Sequence, residues 1–173
     1  MSWNFQIQAY MAPRDPLFLG VFASDEVQKK LVFDQAGQTA IVNYAPSSSD
    51  GGNRGHWVAI GCLGGGRGWF FGSYGLPPDA ADIYLSDRTH FRRYLDEQFP
   101  RGWSSNRRDF QALGSAVCGL YAIWACLHGP YQLNPGSWRS FGVNKSANDR
   151  KIRQLVRLPR MRGLPAQKKP WRP

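Results

Sequence analysis

The sequence feature that most constrains the fold is an apolar run at residues 116–127 that contains no charged side chain. The run is longer than an ordinary strand and apolar on every side, which is typical of a helix buried in a protein core. It is shorter than the roughly 18 apolar residues that cross a membrane. We therefore predict a single domain built around a buried central helix, without membrane association.

Three other segments have the composition of β-strands, at residues 39–44, 56–62 and 69–74. Consecutive glycines at 64–66 predict a turn that makes the last two a hairpin. The polar, glycine-rich segment 47–55 is typical of a loop, so His56 lies where a loop enters a strand. A side chain at such a position can reach into a cleft.

Helices are predicted on both sides of these strands. Ser24 is a suitable N-cap for a helix at 25–31, and Ser86 for one that continues through Phe99. The polar segment 101–109 predicts a connection before the buried helix. Strands and helices in this mixed order predict an α+β fold with a central mixed β-sheet flanked by helices.

Cys118 is the candidate nucleophile, because Ser115 would cap the buried helix and leave the thiol in its first turn. Unpaired backbone N–H groups and the helix dipole favour a thiolate at that position. Gly119 would let a substrate backbone approach closely. The side-chain amide of Gln111, seven residues before Cys118, is a candidate donor to the same point.

The alternative for Cys118 is a small buried hydrophobic residue, which is the commoner role of a core cysteine and the one we predict for Cys126. Catalysis is favoured by His56, which supplies the imidazole that an active thiol requires. Three cysteines without a Cys-x-x-Cys spacing predict neither a disulfide framework nor a metal site. We expect a reducing intracellular compartment and no metal or small-molecule cofactor.

Positive charge is concentrated at the C-terminal end of the chain. Residues 145–173 carry a net charge of +9, whereas residues 1–144 carry +1. We therefore divide the chain into a domain at 1–144 and a basic arm at 145–173, a short helix followed by a Pro-rich flexible tail. Clustered cations favour a polyanion, so the arm predicts sequence-nonspecific nucleic-acid binding; the alternative is a solvated tail. The candidate contacts are Lys145, Arg150, Lys151, Arg153, Arg157, Arg160, Arg162, Lys168, Lys169 and Arg172.

The motifs in this order resemble the adenovirus-type cysteine proteases (the adenain family), which share a clan with SUMO-deconjugating proteases. The matching segments are DPLFLGVF, AIVN followed by GHWVAIG, WFFGSYG and FQALGSAVCGLY. His before Cys is the order of this family, whereas papain-like proteases have Cys before His. The resemblance covers residues 15–128.

The resemblance implies a role for each matching residue. Cys118 would be the nucleophile, and His56 the base that holds it as a thiolate and protonates the leaving amine. Gln111 and the backbone N–H of Cys118 would stabilise the oxyanion. The implied enzyme is a cysteine endopeptidase, and we expect a monomer.

One position departs from the family pattern, because Gly72 stands where the family carries the acid that orients the histidine. Three interpretations stay open. A Cys–His dyad suffices; or Ser73, Asn43, a water or a backbone carbonyl holds the imidazole; or the protein is an inactive relative.

The implied substrates are viral precursor proteins cut near glycine during virion maturation, in the virion and the host-cell nucleus. The resemblance also implies two activators, DNA and a viral peptide. No cysteine occurs between Cys62 and Cys118 for a disulfide tether, so such a peptide would bind non-covalently. Two other functions compete with this one: a SUMO- or ubiquitin-like deconjugating protease, and a nucleic-acid-binding packaging protein without catalysis.

Overall fold

In a computed structural model of the chain, which describes residues 3–45, 47, 55–80 and 91–159, five strands form one mixed β-sheet. The strands are β1 Phe18–Ala23, β2 Thr39–Asn43, β3 Trp57–Gly64, β4 Arg67–Gly72 and β5 Trp103–Ser105. They lie side by side in chain order; β2, β3 and β4 are antiparallel neighbours, and β1 and β5 are parallel edges. The predicted α+β fold with a mixed sheet is confirmed.

The helices of the described residues cover both faces of this sheet. They are α1 Trp3–Met11, α2 Val27–Lys30, α3 Phe91–Gln98, α4 Cys118–His128 and α5 Lys145–Leu155. α4 is the buried central helix that the run at 116–127 predicts, and it packs on β2, β3 and β4. No helix in the described ranges is long and apolar enough to span a bilayer.

The predicted hairpin and its neighbouring strand are confirmed, and both edge strands are additions. β3 and β4 form the hairpin, and β2 pairs with β3. β5 lies in the polar segment 101–109, where the sequence predicts only a connection. Its three residues pair with β4 through the main chain, so the strand needs no apolar pattern of its own.

The sheet separates two apolar layers. Side chains alternate along a strand, so Ile41 of β2 packs in one layer while Ala40 and Val42 pack in the other. The first layer contains α1, α4 and α5, and the second contains α2 and α3. All five residues of β2 are therefore buried, which explains why the segment reads as a continuous apolar run.

The helix predicted at 25–31 begins differently from the prediction. Residues Ser24–Glu26 form a 3-10 turn that leads into α2, so Ser24 lies inside the turn and is not its cap. The side chain of Glu26 accepts the backbone N–H of Ala23 at 2.9 Å instead. The other predicted cap, Ser86, lies outside the described residues.

The first part of the predicted basic arm, α5, packs into the body of the protein. Asn144 caps it by accepting the backbone N–H of Ala147 at 3.0 Å. Ile152 and Val156 are buried in the layer that holds α4, whereas Leu155 remains 40% exposed. The first helix after residue 144 is therefore part of the same packed layer as α4. Residues 160–173 lie outside the described ranges.

Candidate active site

His56 lies directly before β3, where the sequence predicts that a loop enters a strand. Its ring stacks on Tyr74 with centroids 4.8 Å apart, and the ring of Tyr44 lies 5.9 Å away. Nδ1 is buried and accepts no hydrogen bond from the described residues. Burial lowers the pKa of His56 to about 4, so the imidazole is neutral at pH 7.

Cys118 is the first residue of α4, and here the structure corrects the predicted cap. Val117, and not Ser115, precedes the helix, and no side chain caps it. The nearby backbone N–H groups of Trp57, Gly119 and Cys118 itself favour the thiolate, but burial is the larger effect and raises the pKa of the Cys118 thiol. At pH 7 both the thiol and the imidazole of His56 are therefore neutral.

Trp57 connects these two residues. It follows His56 directly in the chain, and its main-chain N–H is near enough to the sulfur of Cys118 to favour the thiolate. Its side chain is buried in the layer with α4. The main-chain contact has no sequence signal, because it depends on how the start of α4 meets the start of β3.

Gln111 is buried, and its amide is held at both ends. The hydroxyl of Ser73 donates to Oε1 at 2.6 Å, and Nε2 donates to the main-chain oxygen of Ser115. Gln111 and His56 line the same cavity. The predicted oxyanion donor is therefore near the predicted base, and one of its two N–H bonds is already used by Ser115.

Gly72, where the sequence predicts a missing acid, faces His56. A Cβ atom added at Gly72 would lie 3.6 Å from Nε2 of His56. Asn106 holds both main-chain groups of Gly72, accepting its N–H at 3.0 Å and donating to its carbonyl at 2.8 Å. Sequence reasoning missed Asn106, because it lies in a polar segment and belongs to no motif.

Two of the proposed substitutes for the acid have other hydrogen bonds. The hydroxyl proton of Ser73 goes to Gln111, and Oδ1 of Asn43 accepts the backbone N–H of Ala45 at 2.9 Å. No ionised group of the described residues contributes to the pKa of His56.

The segment around Gln111 is fixed by α5. Asp149 accepts the backbone N–H of Ala112 at 3.2 Å, and Asn148 donates to the main-chain oxygen of Phe110, also at 3.2 Å. Both α5 residues are buried. The helix that the sequence assigns to a nucleic-acid-binding arm thus positions the candidate oxyanion donor.

Half of the predicted nucleic-acid contacts fall within the described residues. Lys145 pairs with Asp109 and lines the same cavity as His56. The others on or just after α5 are exposed or half-buried: Arg150, Lys151, Arg153 and Arg157. Those that lie outside the described ranges are Arg160, Arg162, Lys168, Lys169 and Arg172.

Comparison with solved structures finds a protease of similar fold. The match, "Crystal Structure of ASFV pS273R protease", has a TM-score of 0.51 and 16% sequence identity, and covers 90% of this chain and 67% of that chain. At this identity the likeness shows a shared fold. No protein-family model matches the sequence, and no curated protein is significantly similar to it.

Proposed function

We propose that the protein is a cysteine endopeptidase in which Cys118 is the nucleophile and His56 the base. The observation that carries the proposal is the packing of α4 on β3, which brings the Trp57 main-chain N–H near enough to the Cys118 sulfur to favour the thiolate, so the thiol lies close to the residue that follows the imidazole. A fold shared with a protease supports it. The motif order His, Gln, Cys in the sequence supports it independently.

In the proposed reaction the Cys118 proton passes to His56, and the sulfur attacks the carbonyl carbon of the scissile bond. The backbone N–H of Cys118 and an N–H of Gln111 stabilise the oxyanion. His56 then protonates the leaving amine as the C–N bond breaks, which leaves a thioester. Water, giving a proton to His56, hydrolyses the thioester, and the proton returns to the sulfur.

For the biological role, we propose precursor proteins of a virus as substrates, cut near glycine during virion maturation in the virion and the host nucleus. The support is the resemblance of the segments around His56 and Cys118 to the adenain family. DNA and a non-covalently bound viral peptide are the proposed activators. The basic C-terminal residues support the first of these.

A cleavage screen tests the proposed activity. The full chain is incubated with a peptide library rich in glycine-containing sites, with and without double-stranded DNA, and new N-termini are identified by mass spectrometry. We expect a defined set of cleavages that depends on Cys118. Products that appear equally with a Cys118→Ala control, or with no protein, would contradict endopeptidase function.

Gln111→Ala is expected to lower kcat by about 10²–10³, which is the usual loss when one oxyanion donor is removed. Ser73→Ala, which removes the 2.6 Å hydrogen bond that orients the amide, should give a smaller loss in the same direction. Steady-state kinetics on the best peptide measure both effects, with circular dichroism as the control for folding. A Gln111→Ala enzyme with wild-type kcat would refute the assigned role.

Truncation after Leu158 is expected to weaken DNA binding and its salt dependence, while cleavage of a short peptide persists. The deleted segment carries five of the ten predicted contacts, so the slope of log K against log salt should fall by up to about 4.5. Arg150→Gln with Arg153→Gln is the matched variant on α5. An unchanged slope after truncation, with a reduced slope in the α5 variant, would place the polyanion site on the folded body.

A further inference from the structure

The space opposite His56 that an acid would fill is open. Gly72 has no left-handed backbone angle, and a Cβ there would make ordinary contacts of 3.6 Å with His56 Nε2 and 3.6 Å with Val58. Asn106 fixes the backbone at this point on both sides. A Cβ at this position would be accommodated in van der Waals contact and would face the imidazole, so the glycine leaves room there.

This room belongs to a cavity of about 640 Å³, which lies within the range of small-ligand pockets. His56, Gly72 and Gln111 form part of its wall. The rest of the wall that the described residues form is mainly apolar, including Phe70, Leu76 and Leu113, with one ion pair between Asp109 and Lys145. The cavity therefore combines an imidazole and an ion pair with mainly apolar walls.

The imidazole itself lacks an ionic partner among the described residues. The groups that face it are the rings of Tyr44 and Tyr74. The charges of the same cavity, Asp109 and Lys145, are paired with each other. A buried histidine in this setting stays neutral, as its lowered pKa indicates.

We propose that the cavity binds a ligand with a carboxylate attached to an apolar group. This carboxylate takes the place of the acid that is missing at Gly72, by accepting the N–H of His56 Nε2. The inference rests on the proposed function. A carboxylate beside the ring favours the imidazolium. The S–H bond of Cys118 would then break as the Nδ1–H bond of His56 forms, and the thiolate–imidazolium pair would replace the neutral pair.

Two readouts test the site without requiring proteolysis. Titration of ¹³C-labelled histidine in the full chain is followed by NMR with benzoate and with the neutral analogue benzamide. Benzoate should move the pKa of His56 from about 4 toward its ordinary range, and benzamide should not. Alkylation of Cys118 by iodoacetamide at pH 7 should accelerate roughly tenfold for each pKa unit gained by the imidazole.

Two blocked dipeptides distinguish the source of the carboxylate. N-acetyl-Asp-Leu-amide carries only a side-chain carboxylate, and N-acetyl-Asn-Leu-amide is its neutral match. An effect of the Asp dipeptide at lower concentration than benzoate supports a peptide as the natural ligand, whereas the reverse supports a small apolar acid.

Gly72→Asp supplies the carboxylate within the chain. This variant should show the raised His56 pKa and the faster alkylation without benzoate, and benzoate should add nothing further. Should the variant fail to fold, the ligand titrations of the wild-type chain decide alone. Equal responses to benzoate and benzamide, or none to either, would overturn the carboxylate site.

An acid supplied by this chain itself is the competing explanation. Asp50, Asp82 and Asp87 lie outside the described residues, so Asp50→Asn, Asp82→Asn and Asp87→Asn are made in the wild-type chain. A lower His56 pKa or slower Cys118 alkylation in any of these variants would also overturn the proposal. A His56 response to benzoate without any peptide cleavage would support the carboxylate site and contradict the proposed protease function.

Discussion

Cys118→Ala is expected to lower kcat/KM for the best peptide substrate by on the order of 10⁴–10⁶, since no other group can form the thioester. Cys118 occupies the first position of α4 and is half-buried against the core, so alanine removes no cap and only the sulfur atom from the packing. His56→Ala should cost a similar factor, because the thiol, whose pKa is raised by burial, then has no base to accept its proton.

The double variant and a matched cysteine make this prediction specific. Cys118 and His56 act as one unit, so the double alanine variant should lose no more activity than either single variant. Cys126 lies on the same helix and packs against the core. The Cys126→Ala variant should retain the wild-type rate. Active-site titration and steady-state kinetics measure all four proteins. Retained cleavage by Cys118→Ala would exclude the thiol mechanism.

Phe110→Ala is expected to lower the free energy of unfolding by about 3–5 kcal/mol, the usual cost of removing a buried aromatic ring. Phe110 is fully buried, with its ring centroid 4.7 Å from that of Trp138 and 5.4 Å from that of Tyr131. Its main-chain N–H also donates to Ser73, next to the bond that holds Gln111. The loss should therefore also disturb the position of the oxyanion donor.

Leu113→Ala is the control for this variant, because Leu113 lies three residues further along the same segment and is 91% exposed. Its stability should change by less than about 0.5 kcal/mol. Urea unfolding followed by tryptophan fluorescence measures both proteins. A Phe110→Ala protein as stable as Leu113→Ala would show that the aromatic cluster around Phe110 does not stabilise the fold.

Local patterns explain which parts of the site could be predicted. Cys118 sits at one end of an apolar run, and His56 follows a polar, glycine-rich segment, so both positions are marked by their neighbours in the chain. Gln111 is indicated by its separation of seven residues from Cys118. No local pattern in the sequence indicates Asn106 or Asp149, because each acts through a hydrogen bond to a segment that is distant in the chain.

The sequence by itself determined the α+β class, the buried helix and the β3–β4 hairpin, because apolar periodicity and turn residues act over a few neighbours. The three candidate catalytic residues it indicates stay a prediction. Tertiary structure alone decided the rest. The register that pairs Val58 with Gly72 sets the missing acid position opposite His56. α5, which the sequence assigns to a basic arm, packs on the body and holds the segment around Gln111 through two hydrogen bonds. Burial left the thiol and the imidazole neutral, since desolvation depends on every element that covers a group and not on its own neighbours in the chain.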